Sequence, residues 1–443
     1  MSTSRRRFLS GALLTAACTA APTDAPKHQT QTQTQTRAER PGPPPDPKPE
    51  VPMTEPLPPL SEEAIADASA ALHAFATDFH RRTAAADANA ISSPMSVALA
   101  LAMVHAGARG ETADEIANAL HLPTAPGEVT RIAASLLQRF AAPGEGYELA
   151  VVDRLFGSQA VSFEPSYLAA MERDLRAPLE TMDFAAASEP SRARINAWVA
   201  EQTRDRIEDL LPPGSITPAT KLVLTNAVYF KASWMDPFYE SATTTATFHA
   251  PKGKVDAKMM QRTDFLRFAA DADTQLVELP YGQGDYAMTI ALPNAPDGLA
   301  ALTKTLDAAK WTQWIGALSH ERVALSLPKF KIEMPEPMRL RKLCEAMGMQ
   351  RMFDYTRADF TAMAPAAEQI EIAEGFHKAF IEVDEKGTEA AAATAFTARA
   401  GSAMPTEPPK PFVCDRPFAF AIRDTKTGAI LFLGQVADPT ATA

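Results

Sequence analysis

Gly282-Gln283-Gly284-Asp285-Tyr286-Ala287 has the letter pattern of a dinucleotide-binding loop, in which glycines bring the backbone to a pyrophosphate seated on the N-terminus of the next helix. The continuation, Met288-Thr289-Ile290-Ala291-Leu292, predicts a strand instead. The glycines therefore read as a hairpin turn, and no cofactor is expected. Hydrolytic chemistry has no better footing. There is no Gly-x-Ser-x-Gly, His-Glu-x-x-His or Cys-x-x-Cys, and the eight histidines are scattered. No catalytic residue and no metal site follow, so an enzyme is not expected. At most one disulfide is available once Cys18 is modified or removed, and Cys344 and Cys414 read as buried single thiols.

What remains is conformational rather than covalent chemistry. From Glu382 to Thr397 the chain carries Glu385, Gly387, Thr388, Glu389, Ala390, Ala391, Ala392, Ala393 and Thr394, a permissive glycine followed by residues that are almost all small. The alanine run has the best helix propensity available. As a strand, the same run would put Thr388, Ala390, Ala392 and Thr394 on one face and Glu389 on the other. That face is small enough to slide between two existing strands, which makes the run a candidate switch.

Such a switch needs a sheet to enter and elements that hold the sheet. Glu62 to Arg81 has helical periodicity through Leu72, Phe75 and Phe79. Asn89 to Ser96 reads as a strand with a Ser/Pro break, followed by a buried helix from Val97 to His105 and a turn and cap over Gly107 to Thr112. A helix beginning at Ile195 carries Thr203 and ends at Ile207 to Pro213. Lys221 to Phe230 is β-branched and aromatic, a strand signature.

The N-terminus is of another kind. Ser4-Arg5-Arg6-Arg7-Phe8-Leu9 ahead of a short apolar stretch matches a twin-arginine export signal. Leu14-Thr15-Ala16-Ala17-Cys18 resembles a bacterial lipobox, with Thr15 as a departure, so residues 1–18 are expected to export the chain and Cys18 to carry a lipid. Cleavage after Ala17 or Ala21 with release of a soluble protein is the alternative. Residues 19–60, with a Gln-Thr tract and many of the 37 prolines, read as a disordered linker, and residues 61–443 as one domain. The net charge of −11 contains no long basic run, so no nucleic-acid partner is expected. The expected location is the bacterial envelope or the medium, with membrane contact only through the anchor.

Glu385-Lys386-Gly387-Thr388-Glu389-Ala390-Ala391-Ala392-Ala393-Thr394 resembles the hinge of a serpin reactive-centre loop, in its inhibitory form. Asn89 to Ser96, Leu222 to Trp234, Pro328-Lys329-Phe330, His377-Lys378-Ala379, Asp415-Arg416-Pro417-Phe418 and Ile430 to Gly434 follow in that family's order. The resemblance implies an α+β serpin fold: a large, mainly antiparallel central sheet, two smaller sheets, about nine helices and an exposed loop. It implies a shutter of Ser93, Ser96, Asn226 and His377 beneath the point where the sheet parts, and a breach at Trp234 with Lys329 paired to Glu385. Strand insertion after attack by a protease is the implied action.

Counting by the family's usual loop length from Gly387 puts the attacked bond at Gly401-Ser402. The stretch to Pro417 looks longer than common, which keeps Arg399 and Met404 open. Arg399 suits a trypsin-like partner, and Gly401 or Met404 a subtilisin-like or elastase-like one. A monomer is expected. The alternative is a non-inhibitory serpin that binds or builds and is cleaved only as a substrate.

Overall fold

The computed structural model describes residues 57–85, 87–125, 127–142, 144–388 and 407–441. Helix α1 (Glu62–Thr83) starts where Ser61 Oγ accepts the Ala64 N–H at 3.2 Å, with Glu62 and Glu63 in its first turn and His80, Arg81 and Arg82 in its last. Those charges suit the two ends of the helix dipole. Helix α2 (Pro94–Gly107) is capped by Ser93, begins on a proline and is apolar on every side. With no polar face, it can only be central.

The other helices among the described residues are α3 (Gly110–Ala119), α4 (Glu128–Phe140), α5 (Pro165–Arg173), α6 (Ser188–Gln202), α7 (Leu299–Thr305), α8 (Ala308–Ala317) and α9 (Arg341–Ala346). Leu57 donates its N–H to Asp174 at 3.2 Å and Leu60 to Ser135 at 3.0 Å, so the end of the expected linker lies on the domain. Helix α6 departs from the expected bounds. Thr203 turns its hydroxyl onto Val199 O at 2.8 Å, and Arg204 and Asp205 take φ of 53° and 59°. That left-handed pair ends the helix well before Ile207.

The strands in chain order are β1 (Ala90–Ser92), β2 (Tyr147–Ser158), β3 (Glu180–Met182), β4 (Leu222–Ser233), β5 (Thr244–Ala250), β6 (Gly253–Ala270), β7 (Thr274–Tyr281), β8 (Tyr286–Pro293), β9 (Ser319–Pro328), β10 (Phe330–Glu333), β11 (Met338–Arg339), β12 (Gly375–Val383), β13 (Gly387–Thr388), β14 (Lys410–Val413), β15 (Phe418–Asp424) and β16 (Ile430–Val436). One sheet has the order β10-β12-β13-β4-β2-β3, with β11 also on β12. The other runs β1-β16-β15-β8-β7-β6-β9-β14, with β5 on β6. Strand β6 is long enough to serve β5, β7 and β9, which makes the two smaller sheets of the expectation continuous. Gly282 and Gly284, at φ 52° and 93°, turn the chain from β7 into β8 as the hairpin reading requires.

Both faces of the first sheet are covered. Leu155, Leu224 and Val228 face the main core with α2, while Val152, Phe156, Val223 and Ala227 pack with Ile195 and Val199 of α6. Alternate residues of β2 and β4 are therefore apolar on both sides, as a sheet buried on two faces demands.

Candidate functional site: the seam of the central sheet

Strands β4 and β12 meet directly over a short parallel stretch, from Leu224 opposite Gly375 to Val228 opposite Ala379. Above it they diverge, and β13 fills the gap. After Val383 the chain turns through Asp384, whose carboxylate accepts the N–H groups of Lys386 and Gly387 at 2.8 and 3.2 Å. It returns with Thr388 opposite Val383 on β12 and Ala232 on β4. Gly387 sits at φ 149°, and a Cβ there would lie 2.0 Å from Ala232 O. Only glycine lets the chain pass so close to β4.

Thr388 is buried, its hydroxyl 2.6 Å from the Tyr281 hydroxyl. Tyr281 stacks on Trp234, with ring centroids 4.3 Å apart. Trp234 donates Nε1–H to Asp384 O at 2.9 Å and its backbone N–H to Lys386 O at 2.8 Å. Lys329 Nζ bonds Glu385 at 2.8 Å, and Thr243 donates to the same carboxylate at 2.8 Å. Burial pushes the Glu385 carboxyl up, but Lys329 and Thr243 outweigh it and hold the group below its ordinary value. Trp234, Lys329, Glu385, Gly387 and Thr388 thus form one cluster at the top of the seam.

Ser93, Ser96, Asn226 and His377 form a second cluster at the seam itself. Ser93 N–H points at His377 Nε2 at 3.1 Å. A backbone N–H can only donate, so Nε2 carries the lone pair and Nδ1 the proton, which goes to Asn226 Oδ1. Burial accordingly lowers the His377 pKa to about 4. Asn226 spends its Nδ2 hydrogens on Ser96 Oγ at 2.7 Å and on Asp153 Oδ1 at 2.6 Å. Ser96 Oγ donates to Asp153 Oδ1 at 2.9 Å, and Ser93 Oγ to Leu431 O at 2.6 Å. Buried networks of this sort are stable only when nearly every group is matched.

Sequence reading missed Asp153 as a member. The signal was present: Leu149 to Phe156 is apolar except for Asp153 and Arg154, and a carboxylate on a buried strand needs something to receive it. Glu389, Ala390, Ala391, Ala392, Ala393, Thr394, Arg399, Gly401, Ser402 and Met404 lie outside the described residues, as do Cys18, the export signal and the linker up to residue 56. Cys344 and Cys414 are free and buried.

An α+β fold whose central sheet holds a two-residue strand between β4 and β12 defines the architecture. Comparison with known proteins gives the family. The family model described as Serpin (serine protease inhibitor) matches residues 70–439. Serpin B8 of Homo sapiens is 37% identical over 79% of this chain and 93% of its own length. The human leukocyte elastase inhibitor is 38% identical over 79% and 93%, and a serpin-like protein of Thermococcus kodakarensis 36% over 83% and 85%. Among solved structures, uncleaved ovalbumin superposes with a TM-score of 0.75 at 28% identity, covering 84% of this chain and 99% of ovalbumin. Human thyroxine-binding globulin complexed with thyroxine gives 0.75 at 25% identity, covering 85% and 100%. The chain belongs to the serpin family.

Proposed function

We propose that this protein inhibits serine proteases by trapping them through strand insertion. The observation that carries the reading is β13: the chain entering the reactive loop is already seated between β4 and β12 as a strand antiparallel to both. Continued in that register, Thr394 would arrive opposite Asn226 on β4 and His377 on β12, which are now each other's partners. Insertion would then replace the β4–β12 seam residue by residue, with Thr388, Ala390, Ala392 and Thr394 on the face toward α2. Small side chains suit that face. The protease attacks a bond in the loop, at Gly401-Ser402 by loop length with Arg399 and Met404 as alternatives, and its acyl-enzyme is carried with the inserting strand. The serpin supplies no catalytic group. The twin-arginine pattern and Cys18 support export to the envelope with a lipid anchor, where an inhibitor would meet secreted proteases.

Incubation with subtilisin, elastase and trypsin followed by denaturing electrophoresis tests the reading. A complex that survives denaturant is expected with at least one of them, and mass spectrometry of the released C-terminal peptide identifies the bond. Cleavage without such a complex for every protease would favour a non-inhibitory serpin cleaved as a plain substrate.

A further inference from the structure

Asp153 and Asn226 face each other on β2 and β4, which pair antiparallel from Tyr147 opposite Ala232 to Gly157 opposite Leu222. The β4–β12 seam spans far fewer residues. Parting at the seam therefore moves β2 and β4 as one ribbon. The N-terminus of α2 stays with β12 and β16, tied through Ser93 to His377 Nε2 and Leu431 O. Three hydrogen bonds cross the parting line: Ser96 to Asp153, Asn226 to Ser96, and His377 to Asn226. The bond from Asn226 Nδ2 to Asp153 Oδ1 travels with the ribbon.

The surroundings of Asp153 fix its charge state. Oδ1 receives both available donors, and Oδ2, buried, has no partner. Among the described residues no cation pairs with this carboxyl. On α2 it meets Ser96 and on β4 Asn226; His377 on β12 is reached through Asn226, and from α1 the Phe79 ring covers His377 at 6.3 Å. Neighbouring Arg154 pairs with Glu180 and lies over Phe156 and Trp198. An anion with one bare oxygen and no counter-charge is costly to bury. The neutral acid is the form this site accepts.

We infer that Asp153 is a positioning residue for sheet opening: uncharged in the closed seam, it holds the Asn226 amide with its oxygen toward His377, and it gives up its proton when the seam parts. This rests on the reading of the β4–β12 seam as the place where the sheet opens. Because Asp153 Oδ1 takes the Asn226 Nδ2 hydrogen, Asn226 Oδ1 is left to face His377 Nδ1–H. Burial, the larger influence, pushes the Asp153 carboxyl well above its ordinary value against the pull of Ser96 and Asn226. Opening admits water, the carboxyl ionises and one proton passes to solvent. The closed state thus binds one proton more than the open one, and opening is favoured by up to about tenfold per pH unit between the ordinary and the raised value. His377 has the opposite sense, since it is neutral when closed and gains a proton on opening in acid. Between the ordinary histidine value of 6.5 and about 4 the two senses cancel, so the Asp153 contribution shows by itself only above that range.

The test uses the complete chain and a synthetic peptide with the sequence of residues 388–397, which competes for the gap. Its rate of uptake is followed by native electrophoresis from about pH 6 to about pH 9. The wild-type rate should climb with pH, and that of Asp153→Asn, which keeps an oxygen acceptor, should stay level. An equal climb in both proteins, or a level wild type, overturns the proposal. Infrared spectroscopy of the wild type needs no variant. A carbonyl stretch from a protonated carboxylic acid is expected at about pH 6, where ordinary carboxylates are ionised, and its absence also overturns the proposal. If that band is present while no peptide enters at any pH, the opening step assigned to Asp153 is refuted together with the insertion reading, whereas the uncharged state stands.

Discussion

Asn226 and His377 are register partners across the β4–β12 seam, and the side-chain bond between them fixes His377 as a neutral, Nδ1-protonated ring. An arrangement that depends on an uncharged imidazole should be sensitive to acid.

Burial lowers His377 and His80 from 6.5 to about 4 each. Between those values the unfolded chain binds the protons that the folded protein refuses. Stability is therefore fully present above the unfolded value and is lost as pH falls toward the folded one. Each histidine should contribute a loss on the order of 3 kcal/mol across that window. Urea midpoints measured from neutral pH down to about pH 4.5 should fall steadily, and His377→Gln should flatten part of the decline. Asp153, whose carboxyl burial raises, opposes part of this loss, so midpoints that stay level in Asp153→Asn as well as in the wild type would contradict the neutral assignment.

Gly387→Val places a branched side chain where a single Cβ already meets Ala232 O at 2.0 Å, on a backbone at φ 149°. Such a residue costs on the order of 1–3 kcal/mol in strain alone. The expected response is withdrawal of β13, which removes the Lys386 O partner from Trp234 N–H and exposes the indole. Tryptophan emission should shift to longer wavelength. An unchanged spectrum with unchanged inhibition would mean that the seated strand does not need its glycine.

Much of this was legible in the sequence because it rests on local rules. Ser61 before Glu62 announces a helix start, Ser93-Pro94 another, and Gly282 and Gly284 a hairpin, since each residue type has few backbone alternatives. Family order then brought Ser93, Ser96, Asn226 and His377 to one place. Asp153 escaped because its local signal, a carboxylate in a largely apolar strand, does not say what receives it: its role arises from register with Asn226 across a strand pair set by distant residues. The end of α6 escaped for a related reason. Arg204 and Asp205 take left-handed backbone without being glycine or asparagine, so no residue there signals the stop. The two-residue seating of β13 lies beyond local rules as well, since the same alanine-rich continuation suits helix, loop and strand.

The Lys329–Glu385 pair should matter little to stability. The Lys329 side chain is 39% exposed, and Thr243 also serves Glu385. Pairs of this exposure contribute about 0–1 kcal/mol and are screened by salt. Lys329→Ala should lower the unfolding free energy read from urea denaturation by an amount in that range, smaller still at about 1 M salt. A loss several times larger would mean that the pair locks the hinge.

Cys18→Ser tests the proposed anchor. Cells fed a radiolabelled or alkyne-tagged fatty acid should label the wild type and not the variant, and the variant should leave the membrane fraction. Equal partition of both proteins into the soluble fraction would favour simple cleavage after Ala17 or Ala21.

Thr388→Arg addresses the proposed mechanism most directly. Thr388 is 1% exposed and its hydroxyl is spent on Tyr281, so a guanidinium there would enter the core beneath Trp234 with no anion to receive it. Burying an unpaired charge costs several kcal/mol, and insertion must extend from this seated residue before Thr394 can reach Asn226 and His377. The proposed bait bond is more than ten residues beyond Thr388 in sequence, so the first attack by the protease should proceed at its usual rate. Insertion should then lag behind hydrolysis of the acyl-enzyme, and the variant should be cleaved with about a tenfold or greater loss of denaturant-stable complex, the factor that 1.4 kcal/mol in the competing barriers gives. Gel densitometry of complex against cleaved serpin reads that partition. Complex formation at the wild-type level would show that insertion does not need Thr388 seated in the sheet, and the assignment of the hinge would fall with it.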